Sequence, residues 1–259
     1  MTHASKKNNT RILSPYEQTH LARYKPEVLQ TIEQYGQMPV EYISGVAEFC
    51  GHLFCVDESV LIPRIETEQL VQMAVETARQ LSQTIKQPLS ILELGTGSGA
   101  VAISLSLELE KHAIAHHIVV SDVSTPALSV VQKNQEALLE NPNLVELVQS
   151  DLFENITQRP FGIIIANLPY IPTQRIAKLT ASVKDFEPYQ ALDGGRDGFE
   201  IIERFLDQVN TYVHQHSVLL LEIDHTHTRE HFQPHLDRWR CELFADEFGK
   251  SRFAQLTKQ

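Results

Sequence analysis

Basic residues are the first thing this sequence is short of. Its 22 lysines and arginines stand against 33 aspartates and glutamates, a net charge of -11 over 259 residues. The resulting field opposes non-specific phosphate binding, so a nucleic acid is not the expected direct substrate. Cysteine is scarce as well. Cys50, Cys55 and Cys241 are odd in number and widely scattered, which fits neither a disulfide framework nor a paired-cysteine zinc site; reduced thiols in a cytoplasmic protein are the simplest reading. No apolar run approaches the roughly 18 residues that a membrane span needs. Residues 1–10 hold two lysines and no apolar stretch, unlike a signal peptide. Internal repeats and low-complexity segments are also missing.

What remains is an ordinary folded composition, 42% hydrophobic, long enough for one large α/β domain and a small appendage. Residues 1 to about 14 read as a disordered tail. Residues 16–35 read as helical, with Leu21, Tyr24, Val28, Leu29 and Ile32 in a rough stripe that Pro26 interrupts. From Tyr42 to Ile62, apolar residues interleaved with Gly45 and Gly51 predict a β-hairpin. A helix is expected from Glu66 or Thr67 to about Gln83. After Pro88, strands at 89–94, 117–121, 144–149, 161–166 and 218–223 alternate with helices at 98–109, 126–139 and 196–213. A helical 225–236 and two closing strands, 240–245 and 252–256, follow. This alternation predicts an α/β fold, a mostly parallel sheet with helices on both faces. The expected division is residues 1–40 for tail and helical segment, 41–65 for a hairpin linker, and 66–259 for the main domain.

Two turns in that pattern carry chemistry. The first, Glu93-Leu-Gly-Thr-Gly-Ser-Gly99, sits between a strand and a helix. Its glycines allow a sharp turn and close approach to a ligand, and the G-x-G-x-G spacing departs from the dinucleotide fingerprint G-x-G-x-x-G. This tilts the reading from a nicotinamide cofactor towards S-adenosylmethionine. Carboxylates recur at strand ends: Glu93 at the first, Asp122 at the second, where it suits ribose hydroxyls, and Asp151 at the third, near an adenine edge. Each alone would pass for a loop or helix cap; together with the glycines they outline a crevice. Gly95, Thr96, Gly97, Gly99, Val123, Leu152, Asn167 and Thr67 complete the expected cofactor contacts.

The second turn, Asn167-Leu-Pro-Tyr170, follows the apolar run Phe161-Gly-Ile-Ile-Ile-Ala166. Asparagine and proline favour turns anyway. Placed after the glycine turn by three strands, the tetrapeptide fits the holding of a planar NH2 group. An amide nitrogen is a poor nucleophile, because its lone pair is delocalised into the carbonyl. Two acceptors on its two N–H bonds would fix and pyramidalise it: the Asn167 side-chain oxygen and a backbone carbonyl freed by Pro169. Tyr170 would stack on the planar group. Proximity to a methyl donor then supplies most of the acceleration without a metal.

With these residues in hand, the chain resembles the protein-(glutamine-N5) methyltransferases that modify peptide-chain release factors, over about residues 37–257. The resemblance rests on Met38-Pro-Val-Glu-Tyr-Ile-Ser-Gly45, Phe49-Cys-Gly-His-Leu-Phe54, Val60-Leu-Ile-Pro-Arg-Ile-Glu-Thr-Glu68, Glu187-Pro188, Ala191-Leu-Asp-Gly-Gly-Arg-Asp-Gly198 and Asp246-Glu-Phe-Gly-Lys-Ser-Arg252. It implies a class I, Rossmann-like sheet, S-adenosylmethionine as cofactor with S-adenosylhomocysteine as product, and the glutamine of a Gly-Gly-Gln tip as substrate. It further implies that Asn167, Leu168, Pro169 and Tyr170 bind that glutamine, with Asn167, Pro169 and Tyr170 catalytic, and that Arg64, Glu66 and Thr67 line the cleft. The expected partner is a release factor, met by a monomer. Two positions depart from the family pattern: Leu168 replaces the first proline of Asn-Pro-Pro-Tyr, and Ile65 replaces another proline. The N-terminal helical part is short.

Asn-Leu-Pro-Tyr also occurs in enzymes that methylate adenine N6 in RNA, so an adenine methyltransferase, a ribosomal-protein glutamine methyltransferase and a cofactor binder without catalysis stand as alternatives. His225, His227, His231 and His235 lie close together; the last three share an i, i+4 face, and neutral surface histidines are expected there rather than a metal site. Cys50 and Cys55 are expected to be packed in the hairpin, and Lys184-Asp-Phe-Glu187 to be a solvated loop.

Overall fold

Continuous apolar runs set the centre of the sheet. The computed structural model describes residues 11–259; residues 1–10 of the expected tail lie outside the described residues. Residues 11–14 are not a loose tail. The buried Arg11 donates to the Gly36 and Met38 carbonyls and pairs with Glu17 at 2.7 Å. Ser14 and Glu17 form a reciprocal capping box that starts helix α1, Pro15–Tyr24. A 3-10 helix, Pro26–Tyr35, and the short α2, Val40–Ser44, follow. Leu21, Val28, Ile32, Val40 and Ile43 give these pieces a small core of their own.

The hairpin is shorter than expected, with β1 Val46–Phe49 pairing antiparallel with β2 His52–Cys55. Tyr42 lies in α2 instead, and Cys55 is exposed rather than packed. Asn134 holds the hairpin to the main body. Its side chain bonds both backbone groups of Cys55 and the Ser98 carbonyl.

The main sheet is built from β3 (Leu89–Leu94), β4 (His116–Asp122), β5 (Val145–Gln149), β6 (Phe161–Ala166), β7 (Val213–Glu222), β8 (Trp239–Ala245) and β9 (Ser251–Lys258) in the order β5-β4-β3-β6-β7-β9-β8. The first five run parallel, and β9 and β8 are antiparallel additions. Helices α3 (Glu68–Ser82), α4 (Ala100–Lys111) and α5 (Thr125–Leu138) connect or flank the first strands; α6 (Thr173–Ile176), α7 (Ala181–Lys184) and α8 (Glu200–Gln208) come after β6. Alternating residues of each central strand feed two cores. Ile91, Ile163, Ile165 and Leu220 pack with α3 and α4 on one face. Leu92, Leu94, Ile164, Leu219 and Leu221 pack with Ile202, Phe205 and Leu206 of α8 on the other.

Two expected elements differ. Strand β7 starts five residues earlier, at Val213, and the helix before it is correspondingly shorter. Residues 225–236 are not a helix: among them only Gln233–His235 is helical, as one 3-10 turn. The Asp224 side chain accepts the Thr226 N–H and hydroxyl, a local bonding pattern that competes with helix formation.

The strand order has a direct consequence. The chain winds outward from β3 to β5, then returns to place β6 on the other side of β3. At such a reversal the loops after the two adjacent strands diverge and leave a crevice at their carboxyl ends. Leu94 pairs with Ala166, so the residues that follow them, Gly95 and Asn167, leave the sheet side by side.

Candidate active site

The glycine turn is tied to β4 from its first residue. The Gly95 and Thr96 amides both donate to the Ser121 carbonyl, at 2.9 and 3.0 Å. Asp122 then closes the turn: one carboxylate oxygen accepts Gly97 N–H at 2.9 Å and the other accepts Ser124 N–H at 2.9 Å. Gly95 and Gly97 have φ of 71° and 55°, which disfavours a side chain. A Cβ on Gly95 would stand 3.2 Å from Leu168 Cδ2, and one on Gly97 would meet nothing within 4 Å. The first glycine therefore lets the two key turns touch, and the second leaves room above the backbone. Gly99 is not among the residues lining the crevice, although Ser98 and Ala100 on either side are. A Cβ on it would lie 2.9 Å from Val131, so its lack of a side chain serves the packing of α4 on α5.

The crevice holds about 1170 Å³ of empty space, part of it open to solvent, and is lined by Glu93, Gly95, Thr96, Gly97, Asp122, Val123, Asp151, Leu152, Asn167, Leu168 and Pro169, with Arg64 and Thr67 on the linker side. Glu93 is 2% exposed. Burial pushes its carboxyl up to about 8, partly opposed by the Thr96 hydroxyl, which donates to it at 2.8 Å. Burial also raises Asp122, against the backbone N–H bonds it accepts. Asp151 pairs with Arg204 of α8 at 2.9 Å. Leu152 takes a positive φ of 49°, an uncommon conformation for leucine at the cavity wall.

Asn167 reaches the same space from β6, and among the described residues its side-chain amide has no hydrogen-bond partner. No described backbone N–H donates to the Leu168 carbonyl either. Both acceptors expected of this turn are thus uncommitted. Tyr170 differs from expectation. It is not among the residues lining the cavity; its hydroxyl turns inward and donates to Glu222 at 2.8 Å. Glu66 is likewise absent from the lining, while Thr67 lines it and donates to the other Glu222 oxygen at 2.7 Å. Arg64 Nη2 contacts both oxygens of Glu187 at 2.6 Å. Glu187 is therefore buried and ion-paired, not part of a solvated loop.

Several site residues were not anticipated. Glu222 ends β7 as Asp122 ends β4, so the same rule of strand-end carboxylates would have found it. Pro188, Gln190, Ala191 and Asp193 line the mouth, and only folding of the 171–198 loop brings them there. Gly194 and Gly198 press that loop on the Asn167–Tyr170 turn: a Cβ on Gly194 would lie 2.6 Å from the Pro169 oxygen, and one on Gly198 would lie 2.2 Å from the Tyr170 oxygen. The histidines are elsewhere. His227 and His235 are buried, not on the surface, and burial lowers both from the ordinary imidazole range. No group of three potential metal ligands occurs among the described residues, nor does any helix long and apolar enough to cross a membrane.

The charge of the cavity bears on what it can hold. Asp122, Asp151 and Asp193 face it beside the largely protonated Glu93, against Arg64 and Arg204, both of which are already paired with carboxylates. A pyrophosphate would be repelled. A cationic ligand with ribose hydroxyls for the strand-end carboxylates fits, and the apolar Val123 and Leu152 offer flanks to a flat ring.

Comparison with known proteins agrees with this geometry. The family described as methyltransferase small domain matches residues 74–184. A release factor glutamine methyltransferase of Streptococcus pneumoniae is 34% identical over 218 residues, 83% of this chain and 73% of that protein. Its namesake in Lactococcus lactis subsp. lactis is 36% identical over 217 residues, covering 83% and 75%. Among solved structures, a ribosomal protein methylase from Lactobacillus delbrueckii subsp. bulgaricus superposes with a TM-score of 0.53 at 16% identity, over 76% of this chain and 80% of that one. A precorrin-6y C5,15-methyltransferase from Geobacter metallireducens gives 0.51 at 12% identity, over 80% and 94%. These two share the fold alone.

Proposed function

This chain belongs to the release factor glutamine methyltransferases, and we propose that it transfers a methyl group from S-adenosylmethionine to the side-chain amide nitrogen of the glutamine in the Gly-Gly-Gln motif of a peptide-chain release factor. The observation that carries the reading is the uncommitted Asn167 amide beside the Gly95 turn at the strand reversal. When bound, S-adenosylmethionine supplies a methyl group on a positively charged sulfur that leaves as a neutral thioether. The Gly95–Gly97 backbone, Asp122 and Asp151 are the groups that would hold it, and their carboxylates suit both its hydroxyls and its positive charge.

The chain's own part in the transfer is positional. Asn167 Oδ1 accepts one N–H of the incoming carboxamide and the Leu168 carbonyl accepts the other. The nitrogen is held with its lone pair facing the donor side and its planarity relaxed; as the new N–C bond forms, one N–H bond breaks and its proton passes to water at the open mouth of the cavity. Leu168 and Pro169 are apolar and limit water around the nitrogen. Holding two reactants at contact distance accounts for a large part of the barrier in reactions of this kind, on the order of 7–11 kcal/mol. Arg64, paired with Glu187, ties the linker to the loop that carries Pro188 and Gln190, so the mouth is walled by both segments.

The test is incubation with methyl-labelled cofactor and, in parallel, purified release factor, ribosomal protein and RNA, followed by mass mapping of the modified atom. Label on the Gly-Gly-Gln glutamine is expected. Label on an adenine amino group or on ribosomal protein alone would replace this substrate assignment.

A further inference from the structure

Glu222 is 1% exposed at the carboxyl end of β7, beside the Asn167 turn. It touches no cavity space, yet both of its oxygens are engaged by residues of the site. Thr67, on the cavity wall, donates to Oε2 at 2.7 Å; Tyr170 donates to Oε1 at 2.8 Å. Arg252 of β9 lies 4.0 Å from Oε1, with its own Nε held by Asp246 at 3.0 Å. One carboxylate thus joins the linker, the acceptor turn and the C-terminal strand pair.

Its chemistry argues against a merely structural role. Removing a carboxylate from water is costly, and two hydroxyl donors with a guanidinium at 4.0 Å offset that less than a close ion pair would. A glutamine would fill the same volume without burying a charge. What only a carboxylate supplies is two equivalent acceptors about 2 Å apart, able to fix two hydroxyls from opposite sides of the site in one plane. We infer that Glu222 is a positioning residue for methyl transfer: by holding Thr67 and Tyr170 together, it sets the acceptor turn against the linker wall of the cavity. This rests on the reading of the Asn167–Tyr170 turn as the acceptor site.

The test is a double-mutant cycle, with kcat measured at saturating cofactor and release factor, alongside cofactor titration and thermal unfolding. Glu222→Gln keeps the shape but only one acceptor. It should lower kcat about 10- to 100-fold, the equivalent of one lost hydrogen bond to a charged group, with cofactor affinity held. Tyr170→Phe should lower kcat comparably, and the double variant should be no slower than the slower single one. Because a buried substitution can fail to fold, Thr67→Val probes the other end, with Thr67→Ser expected to restore the rate. Multiplicative losses in the cycle, or a lower melting temperature with unchanged kcat, would overturn the inference while leaving transfer to glutamine intact. A wild-type protein that fails to methylate the release factor would instead overturn the acceptor-site reading, and this inference with it.

Discussion

Replacing Gly194 with alanine perturbs the acceptor turn from behind, without replacing any residue that lines the cavity. The new Cβ would lie 2.6 Å from the Gly198 and Pro169 oxygens and 2.7 Å from the Tyr170 Cα. All three are backbone atoms, and Cβ atoms do not settle closer than 3.0 Å to such neighbours, so something must move by several tenths of an ångström. The loop has little room to retreat: Gly194 N–H donates to Ile171 and its carbonyl accepts Glu200 N–H, at 2.9 and 3.1 Å. Gly194 has no positive φ, so the perturbation is steric and not a matter of glycine's conformational range. Overpacking of this kind costs about 1–3 kcal/mol. In a chain of this size that lowers the melting temperature by roughly 2–4 °C per kcal/mol. Displacement of the turn should lower kcat by about 10- to 100-fold, because misplacement by an ångström costs on the order of 100-fold. The assay is labelled-methyl transfer at saturating substrates, with cofactor titration and thermal unfolding on the same preparations. Gly249→Ala is the control. Its φ is 77° but its Cβ would meet nothing within 4 Å, so stability should fall with kcat unchanged. A Gly194→Ala enzyme with wild-type kcat, or one losing cofactor affinity in proportion to rate, would refute the argument that the loop holds the acceptor turn.

Other substitutions separate the two halves of the site. Asn167→Ala should reduce transfer by about 100- to 1000-fold, as loss of one oriented polar contact at a reacting centre does, with cofactor affinity nearly unchanged; parallel loss of both would contradict the acceptor role. Asp122→Ala leaves the Gly97 and Ser124 amides without their acceptor and should weaken cofactor binding by about 10- to 100-fold, and an unaltered dissociation constant would remove Asp122 from the cofactor site. Glu93 gives a pH signature. Its folded carboxyl titrates at about 8 against an ordinary value of 4.5. The folded state therefore keeps a proton that the unfolded chain has released, and this site's contribution to stability is full below about 4.5 and declines as pH rises towards 8. Denaturant unfolding of wild type and Glu93→Gln across that window should show a shallower decline in the variant; identical slopes would assign the effect to another group.

Much of the site could be read along the chain. Leu89–Leu94 and Phe161–Ala166 match the observed β3 and β6, because a strand buried on both faces is nearly all apolar, with Ser90 and Glu93 the polar residues of β3. The glycine turn and Asn167 turn could be placed because each directly follows such a run. Strand β7 extends beyond its apolar run because its first residues include His214, Gln215 and His216, polar side chains that carry no mark of a buried strand. Residues 225–236 have helical spacing but form no helix, because the Asp224 side chain satisfies the Thr226 N–H and hydroxyl locally and Pro234 lacks the N–H that a continuous helix would use there.

Tyr170 marks where reading along the chain stops. Its neighbours in sequence say that it follows Asn167 and Pro169; they do not say that its hydroxyl turns to a carboxylate 52 residues later. The same holds for Arg64 and Glu187, 123 residues apart, and for Gly194 against Pro169. Periodicity, turn type and strand ends are set by residues a few positions apart, so the amino-acid sequence alone determined the parallel sheet, the two turns and the class of chemistry. Which strands lie side by side, which carboxylates lose water and which side chains face the cavity depend on burial and packing summed over distant segments, and only the folded arrangement decided those.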